Sequence, residues 1–164
     1  MNDATLKKEI VALLRRNARM PEKELADRLN STVDKIAALI RELEKDRVIM
    51  GYAAIINQEA ENGEVRAIIE VGVQPERDTG FDTIAERLGK FPEVHSVYLV
   101  SGHYDLRLEV VGQSMQDVAS FVSSKLASQP GVKSTATYFL LKKYKEAGVQ
   151  ISKDEHYERL KIVP

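Results

Sequence analysis

The chain has 164 residues, 43% of them hydrophobic and 30% charged, with a net charge of −1, a globular composition sized for one domain or two small ones. It has no cysteine, which excludes a disulfide framework, a thiol nucleophile and any cysteine-bearing zinc or iron–sulfur site, and it fits a reducing cytoplasm. The longest apolar runs, such as Ile10 to Leu14, have five residues where a membrane span needs about 20, and no signal peptide is visible, so no membrane partner is expected.

Three short helices are predicted in the first fifty residues. Leu6, Ile10, Leu13 and Leu14 form one apolar stripe at helical period. Pro21 suits the first turn of a second helix, Pro21 to Leu29, with Leu25, Ala26 and Leu29 inward. After a break at Asn30-Ser31-Thr32, Thr32 caps a third helix from Val33 to about Arg47, with Val33, Ile36, Ile40 and Leu43 as its expected stripe. A short polar turn between second and third helices is the helix-turn-helix pattern. Met1 to Met50 carries 11 basic and 9 acidic residues, net +2, and Gly51 to Pro164 carries 13 and 16, net −3. The sign favours the N-terminal part as the side for a polyanion. Val48 to Ile56 is apolar and β-branched, predicting a strand that leads out of this unit, and Asn57 to Glu64 reads as a polar linker.

The second unit switches to period two. Val65, Ala67, Ile69, Val71 and Val73 alternate as a strand does. Phe81, Ile84, Ala85 and Leu88 predict a helix with Asp78 or Thr79 before it and Gly89 after it. Strands follow over Val94 to Ser101 and Tyr104 to Val111, across a gap whose Gly102 can take positive φ. Ser114 and Asp117 resemble a capping box ahead of Val118, Phe121, Val122 and Leu126. Pro130-Gly131 makes a turn, and Val132 to Lys143 is the last strand. The order β-α-β-β-α-β predicts a ferredoxin-like domain. The expected organisation is α+β: a helix-turn-helix unit over 1–50, a β link and linker over 51–64, a ferredoxin-like unit over 65–144 and a tail over 145–164. With both helices on one sheet face, the other face is expected to expose Ile68, Val97, Leu99, Tyr138 and Leu140, a surface for a second subunit.

Leu25-Ala26, Leu43-Glu44, Val48-Ile49, Gly51-Tyr52, Ser101 to Asp105, Pro130-Gly131-Val132 and Thr135-Ala136-Thr137 stand in an order that resembles the leucine-responsive regulatory protein/AsnC (feast/famine) family of prokaryotic transcription regulators. The resemblance implies a winged-helix-like DNA-binding domain and a ligand-sensing domain that takes amino acids or similar metabolites between subunits. It also implies a homo-oligomer: a dimer, tetramer or octamer. Double-stranded DNA would meet Thr32, Asp34, Lys35, Ala38 and Arg41. Leu39 stands where the family commonly has an arginine, a departure that lightens the positive charge of the recognition helix. The effector would meet Gly102, His103, Tyr104 and Asp105, with Thr135 and Thr137 lining the pocket. Chemically, backbone N–H groups around Gly102 suit a carboxylate and Asp105 suits an ammonium, the two ends of an α-amino acid.

Each of these residues has a plainer reading: a solvated helix face, a hairpin turn, and threonines placed by β propensity. His95, His103 and His156 show no metal spacing, and no cofactor is expected. No Gly-x-Ser-x-Gly, Walker-type or dinucleotide motif is present, so an enzyme is not expected. Two alternatives remain at this point: an enzyme similar to the siroheme decarboxylases, which resemble this family in both domains, and a metabolite-sensing module that has lost DNA binding.

Overall fold

The computed structural model describes residues 2–56, 63–75 and 80–151, and the chain divides into two compact units near Ile55. In the first, α1 spans Asp3–Leu14, α2 Glu22–Arg28 and α3 Val33–Lys45. Asn2 starts α1 by accepting the Thr5 N–H at 2.8 Å, and Thr32 starts α3 by accepting the Lys35 N–H at 3.3 Å. At seven residues α2 is too short to persist alone. Its burial of Leu25 and Ala26 holds it, together with Leu6, Ile10, Leu14, Ile36, Leu39 and Leu43.

Both helices of the helix-turn-helix end in a left-handed residue. Asn30 (φ 47°) closes α2 with the Ser31 N–H donating to the Ala26 carbonyl, and Arg47 (φ 56°) closes α3 with the Val48 N–H donating to the Leu43 carbonyl. This is the Schellman closure, and it uses orphan carbonyls that the helix end leaves open. It sets the turn angle between α2 and α3.

The inward stripe of α3 departs from the expected one. It is Ile36, Leu39 and Leu43; Ile40 is half-buried and Val33 is 41% exposed. Val33 sits in the first turn, beyond the reach of α1 and α2. The strand expected over Val48 to Ile56 does not form, and Val48, Met50, Tyr52, Ile55 and Ile56 are exposed. A strand needs an edge to pair with, and no strand among the described residues pairs with this segment. Residues 57–62 of the expected linker lie outside the described residues.

The second unit is a four-stranded antiparallel sheet of order β2-β3-β1-β4, from β1 Val65–Val73, β2 Val94–Leu99, β3 Leu106–Gly112 and β4 Val132–Phe139. Helices α4 (Asp82–Leu88) and α5 (Met115–Phe121) interleave with them in the ferredoxin-like order, and a π-helical turn, Val122–Leu126, prolongs α5. Ala67, Ile69, Val71 and Val73 face the helices and share a core with Ile84, Leu88, Leu106, Leu108, Val118, Phe121 and Leu126. Ser114 accepts the Asp117 N–H at 3.1 Å and its hydroxyl donates to the Asp117 carboxylate at 2.8 Å. The expected caps Asp78 and Thr79 lie outside the described residues. The last strand stops at Phe139, and a two-residue hairpin, β5 Lys145–Glu146 and β6 Val149–Gln150, turns through Ala147 and Gly148, both at positive φ.

The open face also differs from expectation. Register pairs Val97 with Leu108 and Leu99 with Leu106, on the helix side. A bulge between Val94 and Ser96 shifts the parity of β2, so Ser96 and Tyr98 point outward instead. Val97 packs on the core, while Leu99 lies at the strand end, 58% exposed. Ile68, Tyr138 and Leu140 do belong to the open face, with Arg66, Glu70, Arg107 and Glu109.

Candidate functional site

The outward row of α3 is built by helical period. Asp34, Ala38 and Arg41 lie opposite Ile36, Leu39 and Leu43, and Lys45 continues that row one turn on. Lys45 is absent from the set expected on sequence, although its i+4 spacing from Arg41 signals it. Thr32 stands at the helix start with its hydroxyl spent on the cap. Lys35 turns toward α1 and pairs with Asp3 at 2.7 Å, an exposed contact that holds the Asp3 carboxyl below its ordinary value. Lys7 bridges to Glu42 at 2.9 Å on the same flank, which raises the Lys7 ammonium. Leu39 is 4% exposed, so at this position the chain has a core residue and not a groove-facing one.

At the far end of β2 the hairpin 100–105 is tied down by its backbone. Val100 N–H donates to the Asp105 carbonyl at 2.9 Å, and Asp105 N–H donates to the Val71 carbonyl at 3.2 Å. The Asp105 carboxylate accepts the Val73 N–H at 2.8 Å. That bond falls where the β1–β4 register shifts between Gly72 and Val73, so Asp105 covers a donor that the irregularity frees. Gly102 is exposed and does not take positive φ, contrary to the expectation that its conformational freedom shapes the turn. His103 Nε2 stands 3.4 Å from Glu70 Oε2, and its ring meets Tyr104 edge-on at 4.9 Å. Tyr138 donates its hydroxyl to the same Glu70 oxygen at 3.3 Å, and the Glu70 charge raises the phenol above its usual value.

The expected effector residues therefore separate. His103 joins Glu70 and Tyr138 on the open face, whereas Thr135 and Thr137 lie opposite Val71 and Ile69 on the helix-packed face. Glu70 and Tyr138 do not stand out in the sequence. Their signal is the outward parity of β1 and β4, which needs the register. His95 lies on β2 and His103 in the hairpin beyond its other end, and among the described residues no group of three metal-ligating side chains forms. His156 lies outside the described residues. Among the described residues no helix is long and apolar enough to cross a membrane.

A winged helix-turn-helix DNA-binding profile matches residues 4–50, and an Lrp/AsnC ligand binding domain profile matches residues 66–150. The chain is 42% identical over 158 residues, 95% of each chain, to YugG, an HTH-type transcriptional regulator of Bacillus subtilis (strain 168). It is 27% identical to a leucine-responsive regulatory protein of Rhizobium meliloti (strain 1021), over 85% of this chain and 89% of that one. Among solved structures, the transcriptional regulator NMB0573 in complex with L-Met, from Neisseria meningitidis, superposes with a TM-score of 0.69 at 27% identity. The match covers 89% of this chain and 93% of that one.

Proposed function

We propose, from the premise that this chain belongs to the Lrp/AsnC family of transcriptional regulators, how its DNA-binding and ligand-binding domains divide the work. The outward row Asp34, Ala38 and Arg41, with Lys45, enters the major groove. Thr32 and Lys35 flank it at the helix start. Arg41 and Lys45 supply phosphate or guanine contacts, and Ala38 meets a thymine methyl. The effector is an α-amino acid or a close relative, held near the 100–105 hairpin where two subunits meet. The likeness to a regulator solved with L-Met carries this reading. The subunits associate through the open sheet face, whose Ile68, Tyr98, Tyr138 and Leu140 lie on the side away from the helices. The protein works in the cytoplasm without catalysing a reaction; the relatives are named as regulators.

A ligand shared by two subunits changes DNA binding only by its differential affinity for two arrangements of them. The ammonium acceptor at the hairpin is Glu70 in this reading, because the Asp105 oxygen nearest the sheet is already spent on Val73 N–H. Calorimetry with the twenty amino acids on the full chain tests this. Glu70→Gln is expected to weaken the best ligand about tenfold or more, a loss near 1.4 kcal/mol. Unchanged binding in that variant removes Glu70 from the site, and no binding by any amino acid removes the effector class.

A further inference from the structure

The opposite end of β2 carries a second feature with a chemistry of its own. A cleft of about 200 Å³ opens between the residue before β2, the end of β3 and the segment formed by α5 and its π-helical turn. Its polar wall is Glu93, Asp117, Ser120, Ser124 and Lys125, and its floor is Val110, Val118 and Phe121. Glu93 Oε1 pairs with Lys125 Nζ at 2.5 Å, while Glu93 Oε2 is buried and has no hydrogen-bond partner. A carboxylate oxygen only accepts, so this atom is incomplete without a donor brought from outside.

Two carboxylates against one ammonium leave the wall with a net charge of −1, which favours a cationic donor. The π-helical turn carries Ser124 and Lys125 on the wall, and such turns recur where a helix is adapted to a site. Gly112 lines the cleft mouth: a Cβ there would stand 3.0 Å from Val118 Cγ2, so glycine keeps the opening clear. The volume lies below the roughly 300–1,000 Å³ of drug-sized pockets and suits a ligand of amino-acid or small-amine size. The site lies within one subunit, about 20 Å along β2 from the 100–105 hairpin.

We propose that this cleft is a second ligand site, which binds the ammonium group of a small metabolite on Glu93 Oε2. If the ligand is an α-amino acid, its carboxylate takes Lys125 and its side chain lies on Val110 and Val118. If it is a simple amine, Lys125 keeps its pairing with Glu93.

The full-length chain with labelled valine methyl groups tests this by NMR. The Val110 and Val118 methyls report the cleft, and the Val100 methyls report the hairpin. The probes are glycine, leucine, methylamine and 1,4-diaminobutane. At least one is expected to shift Val110 and Val118 saturably, with Glu93→Gln weakening it about tenfold. Lys125→Gln is expected to weaken the amino acids and spare the amines. If no probe moves Val110 and Val118, or if Glu93→Gln titrates as the parent does, the site is refuted. Shifts confined to Val100 refute the cleft and leave the hairpin site standing, so the two readings fail separately.

Discussion

Asp105 illustrates how one side chain can be read twice. Its position beside a glycine turn suggests an ammonium acceptor, yet its carboxylate closes a backbone donor at the edge of a register shift. Asp105→Ala leaves the Val73 N–H without a partner, and a half-buried orphan donor costs about 1–3 kcal/mol. Asp105→Asn keeps an acceptor and is expected to cost less than about 1 kcal/mol. Urea denaturation of both variants checks this; equal stability of the alanine variant and the parent rejects the structural role. Asp3 gives the residue-scale prediction for DNA. It holds Lys35 at 2.7 Å and brings a negative charge to the start of the recognition helix. Asp3→Asn is expected to tighten DNA binding by a few-fold, the worth of about 0.5–1 kcal/mol for one nearby charge in solvent. Gel-shift titration at fixed salt decides, and weaker binding in the variant means that Asp3 serves to orient Lys35.

Helix ends and strand parity set the next scale. Arg47 closes α3 at φ 56°, where an L-residue other than glycine or asparagine is strained. Arg47→Gly is expected to raise stability by about 1 kcal/mol, seen as a higher melting temperature; a lower one means that the Arg47 side chain makes a contact worth more than the strain. The ion pair Glu93–Lys125 ties β2 to the turn after α5 and lowers the Glu93 carboxyl below its ordinary 4.5. A depressed carboxylate stabilises the fold above its unfolded value and loses that contribution as pH falls through the folded value. The parent is therefore expected to exceed Glu93→Gln in stability at neutral pH. The gap should close in acid, below the ordinary carboxylate range. A pH-independent gap attributes the difference to packing. The row Arg41 and Lys45 belongs to this scale too. Replacing both with alanine should reduce the salt slope of DNA binding by about 0.9 for each phosphate that the two side chains neutralise.

At the scale of the molecule, two helices pack one sheet face, and the other face leaves large side chains open to solvent. Tyr138 is 52% exposed and Leu140 36%, beside Glu70, Arg107 and Glu109. Tyr138→Lys with Leu140→Lys places two ammonium groups on that face without touching the core of Ile69, Val71 and Leu108. Light scattering is expected to show a smaller assembly with an unchanged circular dichroism spectrum. An unchanged mass moves the subunit interface elsewhere, the exposed Val48 to Ile56 segment being the next surface to test.

The sequence by itself determined the helices, their caps and the order of elements, because these are local. Thr32 and Ser114 bond to N–H groups three residues on, and Leu6, Ile10 and Leu14 mark one helix face whatever the rest of the chain does. The β-α-β-β-α-β order follows from a change of hydrophobic period, which is also local. Only the tertiary structure decided which residues share a face or a site. The bulge before Ser96 moved Val97 and Leu99 to the helix side, and a bulge of one residue leaves no mark in the apolar pattern. The register of β1 against β4 sent Thr135 and Thr137 away from His103 and brought Glu70 to it. Leu39, rather than Val33, entered the core because α1 and α2 meet α3 from one side. These outcomes depend on partners distant in the chain, and hydrophobic periodicity carries no information about which distant segment becomes the partner.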